Sequence, residues 1–134
     1  MLQEGNIFTT LIVDQDDSFR TTLRALLKQD ASFDVFVEAG SASEAIVRAR
    51  QFVPSLAILD SSLPGMNGLQ LAQELRKILH HLPIFLLTAD YDLRVEKEAL
   101  SCGIDAVFSK IDDLEALVAN AAAVCENWRR GGPR

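Results

Sequence analysis

The chain of 134 residues carries 13 basic and 19 acidic side chains, a formal charge of −6, and 49% of its residues are hydrophobic. This composition excludes a disordered chain, because so much apolar surface can offset the entropy lost on folding. The acidic balance argues against direct nucleic-acid binding, which needs clustered Lys and Arg. Because no apolar run approaches the roughly 20 residues of a membrane span, we expect a cytoplasmic domain without membrane contact.

Short apolar runs alternate with amphipathic stretches along the chain. The runs are nearly uninterrupted and rich in Val, Ile, Leu and Phe, which is typical of strands covered on both faces. They predict five strands, at residues 7–13, 33–37, 56–59, 84–87 and 106–108.

Each strand is followed by a stretch of helical periodicity, so five helices are predicted. Ser41 and Glu44 have the spacing of a capping box at the start of the second helix, and Pro54 ends that helix. The fifth helix is the longest, and Asp112 and Asp113 are assigned to its first turn. The fivefold β–α alternation predicts an α/β fold, a parallel sheet between two layers of helices.

We expect residues 1–134 to form one domain, with a core at about 7–128 and flexible ends at 1–6 and 129–134. Cys102 and Cys125 lie on predicted apolar helix faces. They are interpreted as small core residues rather than as a disulfide, since two thiols do not make a disulfide framework in a domain of this size.

Polar residues follow four of the predicted strands: Asp14, Asp60, Thr88 and Lys110. Singly, each has an ordinary explanation as a turn, strand-end or surface residue. Together they favour a site, because the carboxyl ends of parallel strands meet at one edge of a sheet. Carboxylates there would attract Mg²⁺, and a hydroxyl and an ammonium would hold a phosphoryl group. Asp60 could then act as a carboxylate nucleophile and form an aspartyl-phosphate.

Four stretches of the chain are similar to the receiver domain of two-component response regulators. They are IVDQDDSFR (12–20), LDSSLPGMNG (59–68), PIFLLTA (83–89) and GIDAVFSK (103–110). The resemblance covers nearly the whole chain and implies a doubly wound, flavodoxin-like sheet with the strand order 2-1-3-4-5.

The resemblance also implies a role for each site residue. Asp60 would accept a phosphoryl group from a phosphohistidine on a sensor histidine kinase or a phosphotransfer protein. Thr88 and Lys110 would bind the phosphoryl oxygens. The implied Mg²⁺ ligands are Asp14, Gln15, Asp60 and the backbone carbonyl of Ser62.

The domain would signal rather than act as an enzyme, although it would assist its own aspartyl phosphorylation and dephosphorylation. Phosphorylation would change the surface of the fourth helix, fifth strand and fifth helix. That surface would bind a downstream effector or output domain, or a second copy of the chain.

Three positions depart from the family pattern. Gln15 replaces an acidic residue, so Mg²⁺ should bind more weakly. Val107 replaces an aromatic residue that turns inward on activation. Ile111 replaces a proline after Lys110, so the peptide bond there is either trans or a strained cis bond. These departures leave a second interpretation open, a pseudo-receiver that binds partners without phosphorylation.

Overall fold

The computed structural model describes residues 7–131, in which five strands alternate with five helices. The strands are β1 (Thr9–Val13), β2 (Val35–Ala39), β3 (Leu56–Asp60), β4 (Ile84–Thr88) and β5 (Ala106–Ser109). The helices are α1 (Asp17–Lys28), α2 (Ala42–Phe52), α3 (Gly68–Ile78), α4 (Leu93–Ser101) and α5 (Leu114–Gly131). Every predicted strand overlaps an observed one, and the bounds differ by one or two residues at most ends.

The five strands form one parallel sheet in the order β2-β1-β3-β4-β5, which confirms the predicted doubly wound, flavodoxin-like fold. Val13 lies opposite Leu59 in the register of β1 with β3, and Thr88 lies opposite Ser109 in that of β4 with β5. The carboxyl ends of these four strands are therefore level, and the residues that follow them share one edge.

Successive residues of each strand pack into different cores, one on either side of the sheet. Leu11 and Val13 belong to the core beneath α2, α3 and α4. Ile12, between them, belongs to the core beneath α1 and α5. All five residues of β1, β3 and β4 are buried. Their uninterrupted apolar runs thus reflect helices on both faces.

The predicted start and end of α2 are largely confirmed. Ser41 Oγ accepts a hydrogen bond from the Glu44 N–H at 3.2 Å, as in a capping box. The Glu44 carboxylate, however, accepts from the Gly40 N–H at 2.7 Å rather than from that of Ser41. The helix ends at Phe52, directly before a residue with left-handed backbone and then Pro54.

The prediction about the start of α5 is wrong. Asp112 and Asp113 precede its first turn, because Asp113 Oδ2 accepts the Ser109 N–H at 2.9 Å and closes the loop before the helix. At its other end, α5 includes residues 129–131, which belong to the segment expected to be flexible. Arg129 Nη2 donates to the Ser32 carbonyl at 2.5 Å and to Asp34 Oδ2 at 2.6 Å. The expectation for residues 1–6 and 132–134 falls outside the described part of the chain.

The two cysteines differ in burial. Cys125 is buried in the α1–α5 core, as expected. Cys102 is exposed, which corrects its assignment to the core, because it follows the last residue of α4 as the helix cap. Within residues 7–131, no helix has both the length and the apolar character needed to cross a bilayer.

Candidate functional site

The four polar residues predicted from the strand ends line one cleft of about 450 Å³ at the carboxyl edge of the sheet. Asp14 follows β1, Asp60 ends β3, Thr88 ends β4, and Lys110 follows β5. The β2-β1-β3-β4-β5 order makes β1, β3 and β4 consecutive neighbours, so both carboxylates and the hydroxyl come from adjacent strands. Gln15 and Ser62 line the same cleft at its exposed margin.

Lys110 bridges the two carboxylates. Its Nζ lies 2.5 Å from Asp14 Oδ2 and 3.3 Å from Asp60 Oδ2. The Lys110 N–H also donates to the Thr88 carbonyl at 2.9 Å, which ties the loop after β5 to the end of β4. Lys110 is thus held in two ways. Its backbone pairs with the end of β4, and its ammonium pairs with the two carboxylates.

Both carboxylates are buried, although each lines the cleft. Asp14 Oδ1 accepts the Asp16 N–H at 2.8 Å, and Asp60 Oδ1 accepts the Ser62 N–H at 3.2 Å. Burial raises the pKa of the Asp60 carboxyl above its ordinary value, and the neighbouring Asp14 carboxylate adds to this effect. Lys110 and the Ser62 N–H oppose the rise without cancelling it. Asp60 therefore lies in a site that resists negative charge until a cation or proton arrives.

The Lys110 amine experiences the opposite balance. Burial lowers its pKa, but the ion pairs with Asp14 and then Asp60 outweigh burial and leave the pKa above its ordinary value. The ring of Phe19 covers the ammonium, with Nζ 4.4 Å from the ring centroid, a distance at which the ring attracts a cation. Lys110 therefore remains a fixed positive charge beside Asp60.

Thr88 is buried at the end of β4, and its Oγ1 accepts the Asp90 N–H at 3.1 Å. That contact uses the hydroxyl as an acceptor, so its proton remains available for another oxygen. The loop that follows β4 is linked to the hydroxyl by this one hydrogen bond, from the Asp90 N–H.

The donor set fits an Mg²⁺ ion. Asp14 Oδ2 is buried and close to Lys110 Nζ, yet no donor in residues 7–131 makes a well-aligned hydrogen bond to it. The described residues contain no group of three or more His, Cys, Asp or Glu arranged to hold a metal. Two carboxylates with neutral oxygens from Gln15 and Ser62 suit Mg²⁺, which uses one or two carboxylates and keeps several waters.

Gly68, the first residue of α3, determines how closely the loop after β3 packs beneath Asp60. A Cβ at Gly68 would lie 2.4 Å from the Asp60 carbonyl oxygen and 2.8 Å from Leu86 Cδ1. The Gly68 N–H donates to the Ser61 carbonyl at 3.0 Å, so the helix start and the strand end are in direct contact. Only a residue without a side chain fits there.

Two of the departures from the family pattern have clear structural settings. Val107, on β5, is buried in the core beneath α2, α3 and α4. The Lys110–Ile111 bond is trans, since residues 7–131 contain no cis peptide, and Ile111 is 76% exposed. The loop after β5 therefore keeps Lys110 in the cleft without the proline of the family pattern.

The sequence interpretation missed Phe19 and Gly68. Phe19 has the spacing of a core residue in the stripe of α1, and Gly68 follows a turn-rich segment. The signal for Phe19 was its position five residues after Asp14, at the start of a helix beside the cleft. No signal in the sequence distinguishes Gly68 from an ordinary turn glycine, because its neighbours come from β3 and β4.

Comparisons with known proteins identify chains of similar sequence and similar fold. A family model described as the response regulator receiver domain matches residues 10–122. The DNA-binding response regulator MtrA of Mycolicibacterium smegmatis is 35% identical over 84% of this chain and 48% of its own length. The transcriptional activator protein ExaE of Pseudomonas putida is 31% identical over 90% of this chain and 53% of its own. The chain thus spans about half the length of these curated relatives.

Among solved structures, the chemotaxis protein CheY4 of Vibrio cholerae has a TM-score of 0.77 to this chain at 25% identity. The similarity covers 88% of this chain and 98% of the chemotaxis protein. The chemotaxis protein is therefore matched over nearly its whole length, whereas the two curated relatives are matched over about half of theirs.

Proposed function

Because this chain belongs to the receiver-domain family of two-component response regulators, we propose that Asp60 accepts a phosphoryl group and that phosphorylation switches the binding of a partner. The observation that carries the proposal is the contact of Lys110 Nζ with both Asp14 and Asp60 in one cleft, at 2.5 and 3.3 Å. This arrangement places a nucleophilic carboxylate, a metal-binding carboxylate and a cation within reach of one phosphoryl group.

In the proposed reaction, a carboxylate oxygen of Asp60 attacks the phosphorus of a phosphohistidine on a sensor histidine kinase or a phosphotransfer protein. The new O–P bond forms as the P–N bond breaks, and the leaving imidazole nitrogen keeps the electron pair. Lys110 pairs with the phosphoryl oxygens, and the Thr88 hydroxyl donates to one of them. Both interactions offset negative charge that would otherwise be placed in a buried site.

A bound Mg²⁺ would lower the charge repulsion between Asp60 and the incoming phosphoryl oxygens. Asp14 and Asp60 would hold the ion with their carboxylates. Gln15 and the Ser62 carbonyl would complete the protein ligands, and Gln15 contributes a neutral oxygen where a carboxylate would bind more tightly. The same residues would also assist hydrolysis of the aspartyl-phosphate. Hydrolysis would limit the lifetime of the phosphorylated state.

The switch in this proposal begins at Thr88. When the Thr88 hydroxyl turns to the phosphoryl group, the hydrogen bond from the Asp90 N–H to Thr88 Oγ1 breaks. The loop between β4 and α4 then changes shape. Val107 cannot transmit this change by swinging a ring, so backbone movement of the loop would carry it. The altered surface of α4, β5 and α5 would bind an effector, an output domain or a second copy of the chain.

The curated relatives named above are longer than this chain, which spans about half of their length, so the partners belong to this proposal. The names of two of them describe a DNA-binding regulator and a transcriptional activator. We assign any DNA contact to an output domain rather than to this acidic one, whose formal charge is −6. A cytoplasmic location, where histidine kinases present their phosphohistidine, belongs to the same proposal.

The test is incubation of the purified protein with Mg²⁺ and acetyl phosphate, followed by intact-mass measurement. We expect a mass increase of one phosphoryl group, lost in Asp60→Asn and on removal of Mg²⁺. The matched control is Asp112→Asn, which removes an exposed carboxylate near Lys110 that does not line the cleft. A folded wild-type protein that gains no mass would favour the pseudo-receiver, in which Asp14, Asp60 and Lys110 only stabilise the fold.

A further inference from the structure

Arg20, near the start of α1, connects three parts of the protein behind the cleft. Its Nη1 donates to the backbone carbonyl of Asp14, its Nη2 pairs with Asp17, and its Nε donates to Glu38 Oε1 at 3.1 Å. The Arg20 side chain is only 12% exposed. The guanidinium therefore joins the loop after β1, the first turn of α1 and the end of β2.

These contacts bear on Asp14 because its backbone is otherwise held from one side. The Asp14 N–H donates to the Ala39 carbonyl at the end of β2, at 3.1 Å. Arg20 takes the Asp14 carbonyl on the other side of the same residue. With both backbone groups engaged, the direction of the Cα–Cβ bond of Asp14 is determined, and with it the position of the carboxylate in the cleft.

We propose that Arg20 is a positioning residue, whose planar guanidinium aligns the Asp14 carboxylate for a divalent cation without touching the ion. The inference rests on the Mg²⁺ site of the proposed function, but not on phosphorylation. Residues that orient a metal ligand from behind commonly change metal affinity by about 10- to 100-fold when removed. The fork of donors on Arg can span three acceptors that a single ammonium cannot.

The structure supplies a matched control in Arg24. Arg24 Nη1 donates to Glu38 Oε2 at 2.8 Å, so Arg24 lies on the same helix as Arg20 and pairs with the other oxygen of the same carboxylate. Within residues 7–131, the hydrogen bonds and ion pairs of Arg24 do not reach Asp14. Arg20→Gln and Arg24→Gln each remove one positive charge beside Glu38, but only the first releases the Asp14 carbonyl.

Charge and positioning predict opposite results. Removing a positive charge near the cleft should tighten the binding of a divalent cation if charge alone matters. Releasing the Asp14 carbonyl should weaken it if positioning matters. Arg20→Lys separates the two further, because it keeps the charge and loses the fork.

The experiment is a titration with MgCl₂ of the full chain and its variants, followed through the backbone amide NMR signals of Asp60 and Ser62. The same spectra report whether each variant is folded. We expect the dissociation constant for Mg²⁺ to rise about tenfold in Arg20→Gln and by several-fold in Arg20→Lys. Arg24→Gln should remain within about twofold of wild type, because its ion pair with Glu38 is partly exposed to solvent.

Four results would overturn the inference: unchanged or tighter binding in Arg20→Gln, wild-type binding in Arg20→Lys, equal weakening in Arg24→Gln, or a wild-type protein that does not bind Mg²⁺. Phosphorylation is measured separately, by the mass increase with acetyl phosphate. Weaker Mg²⁺ binding in Arg20→Gln together with an unphosphorylated wild-type protein would support this inference and refute the proposed function.

Discussion

Substitution of Gly68 by alanine should disturb the phosphoacceptor loop from behind. The added Cβ would lie 2.4 Å from the Asp60 carbonyl oxygen, where an ordinary contact needs at least 3.4 Å. The end of β3 and the start of α3 must therefore separate by about 1 Å. The added Cβ would also lie 2.8 Å from Leu86 Cδ1 and 3.0 Å from the Ser61 Cα, so these neighbours must shift as well.

Overpacking of this kind in a buried site costs about 1–3 kcal/mol, and we expect the free energy of unfolding to fall by about 2 kcal/mol. A displacement of about 1 Å at a reacting group can slow a reaction by about 100-fold. We therefore expect Gly68→Ala to slow phosphorylation of Asp60 by acetyl phosphate at least tenfold.

Urea unfolding measures the stability change, and the time course of the mass increase measures the phosphorylation rate. Gly40→Ala is the matched control, since Gly40 lies at the same edge of the sheet. A Cβ there would make an ordinary contact, 3.5 Å from Arg20 Nη1. We expect that variant to stay within about 0.5 kcal/mol of wild type. If Gly68→Ala were as stable and as readily phosphorylated as Gly40→Ala, the close approach of Gly68 to the Asp60 carbonyl would not matter for stability or for phosphorylation.

Three further predictions concern the cleft. Gln15→Asp should tighten Mg²⁺ binding by adding a carboxylate, measured by NMR titration; unchanged or weaker affinity would place Gln15 outside the ion's ligands. Phe19→Leu should weaken the attraction between the ring and the Lys110 ammonium by about 0.5–1 kcal/mol and slow phosphorylation. Phe19→Tyr keeps a ring and should restore the rate. An equal loss of rate in both variants would mean that Phe19 acts only through packing. Without Mg²⁺, Asp60→Asn should unfold at higher urea than wild type near neutral pH, by about 1 kcal/mol. Burial, with the Asp14 carboxylate, raises the pKa of Asp60 in the folded state above its ordinary value. Protonated Asp60 therefore stabilises the fold at low pH, and this contribution is lost as pH rises through the raised pKa. The stability difference should therefore disappear toward acidic pH, and a less stable Asp60→Asn at neutral pH would mean that Lys110 outweighs burial.

The strands and the residues that follow them could be predicted because their signals are local. Apolar runs long enough for a strand ended at Asp14 and Asp60, and a parallel sheet carries such residues to one edge. Thr88 and Lys110 followed from the same rule. The structure brings all four together.

Errors arose where packing or loop closure decided the outcome. Cys102 shares the apolar spacing of α4 but lies beyond its last turn, at the exposed cap. Asp113 has the charge expected in the first turn of a helix, but it precedes α5. Its carboxylate accepts a hydrogen bond from the Ser109 N–H. The contacts of Arg129 with Ser32 and Asp34 also depend on packing, because they join segments far apart in the chain.

By itself, the sequence determined the α/β alternation, the positions of the strands and the polar residues at their carboxyl ends. These features depend on the pattern of apolar and polar residues within short segments of the chain. Only the tertiary structure decided that Lys110 lies nearer Asp14 than Asp60, that Phe19 covers its ammonium, and that Gly68 must lack a side chain. Those features depend on distances between segments far apart in the chain, which the packing of helices against the sheet establishes.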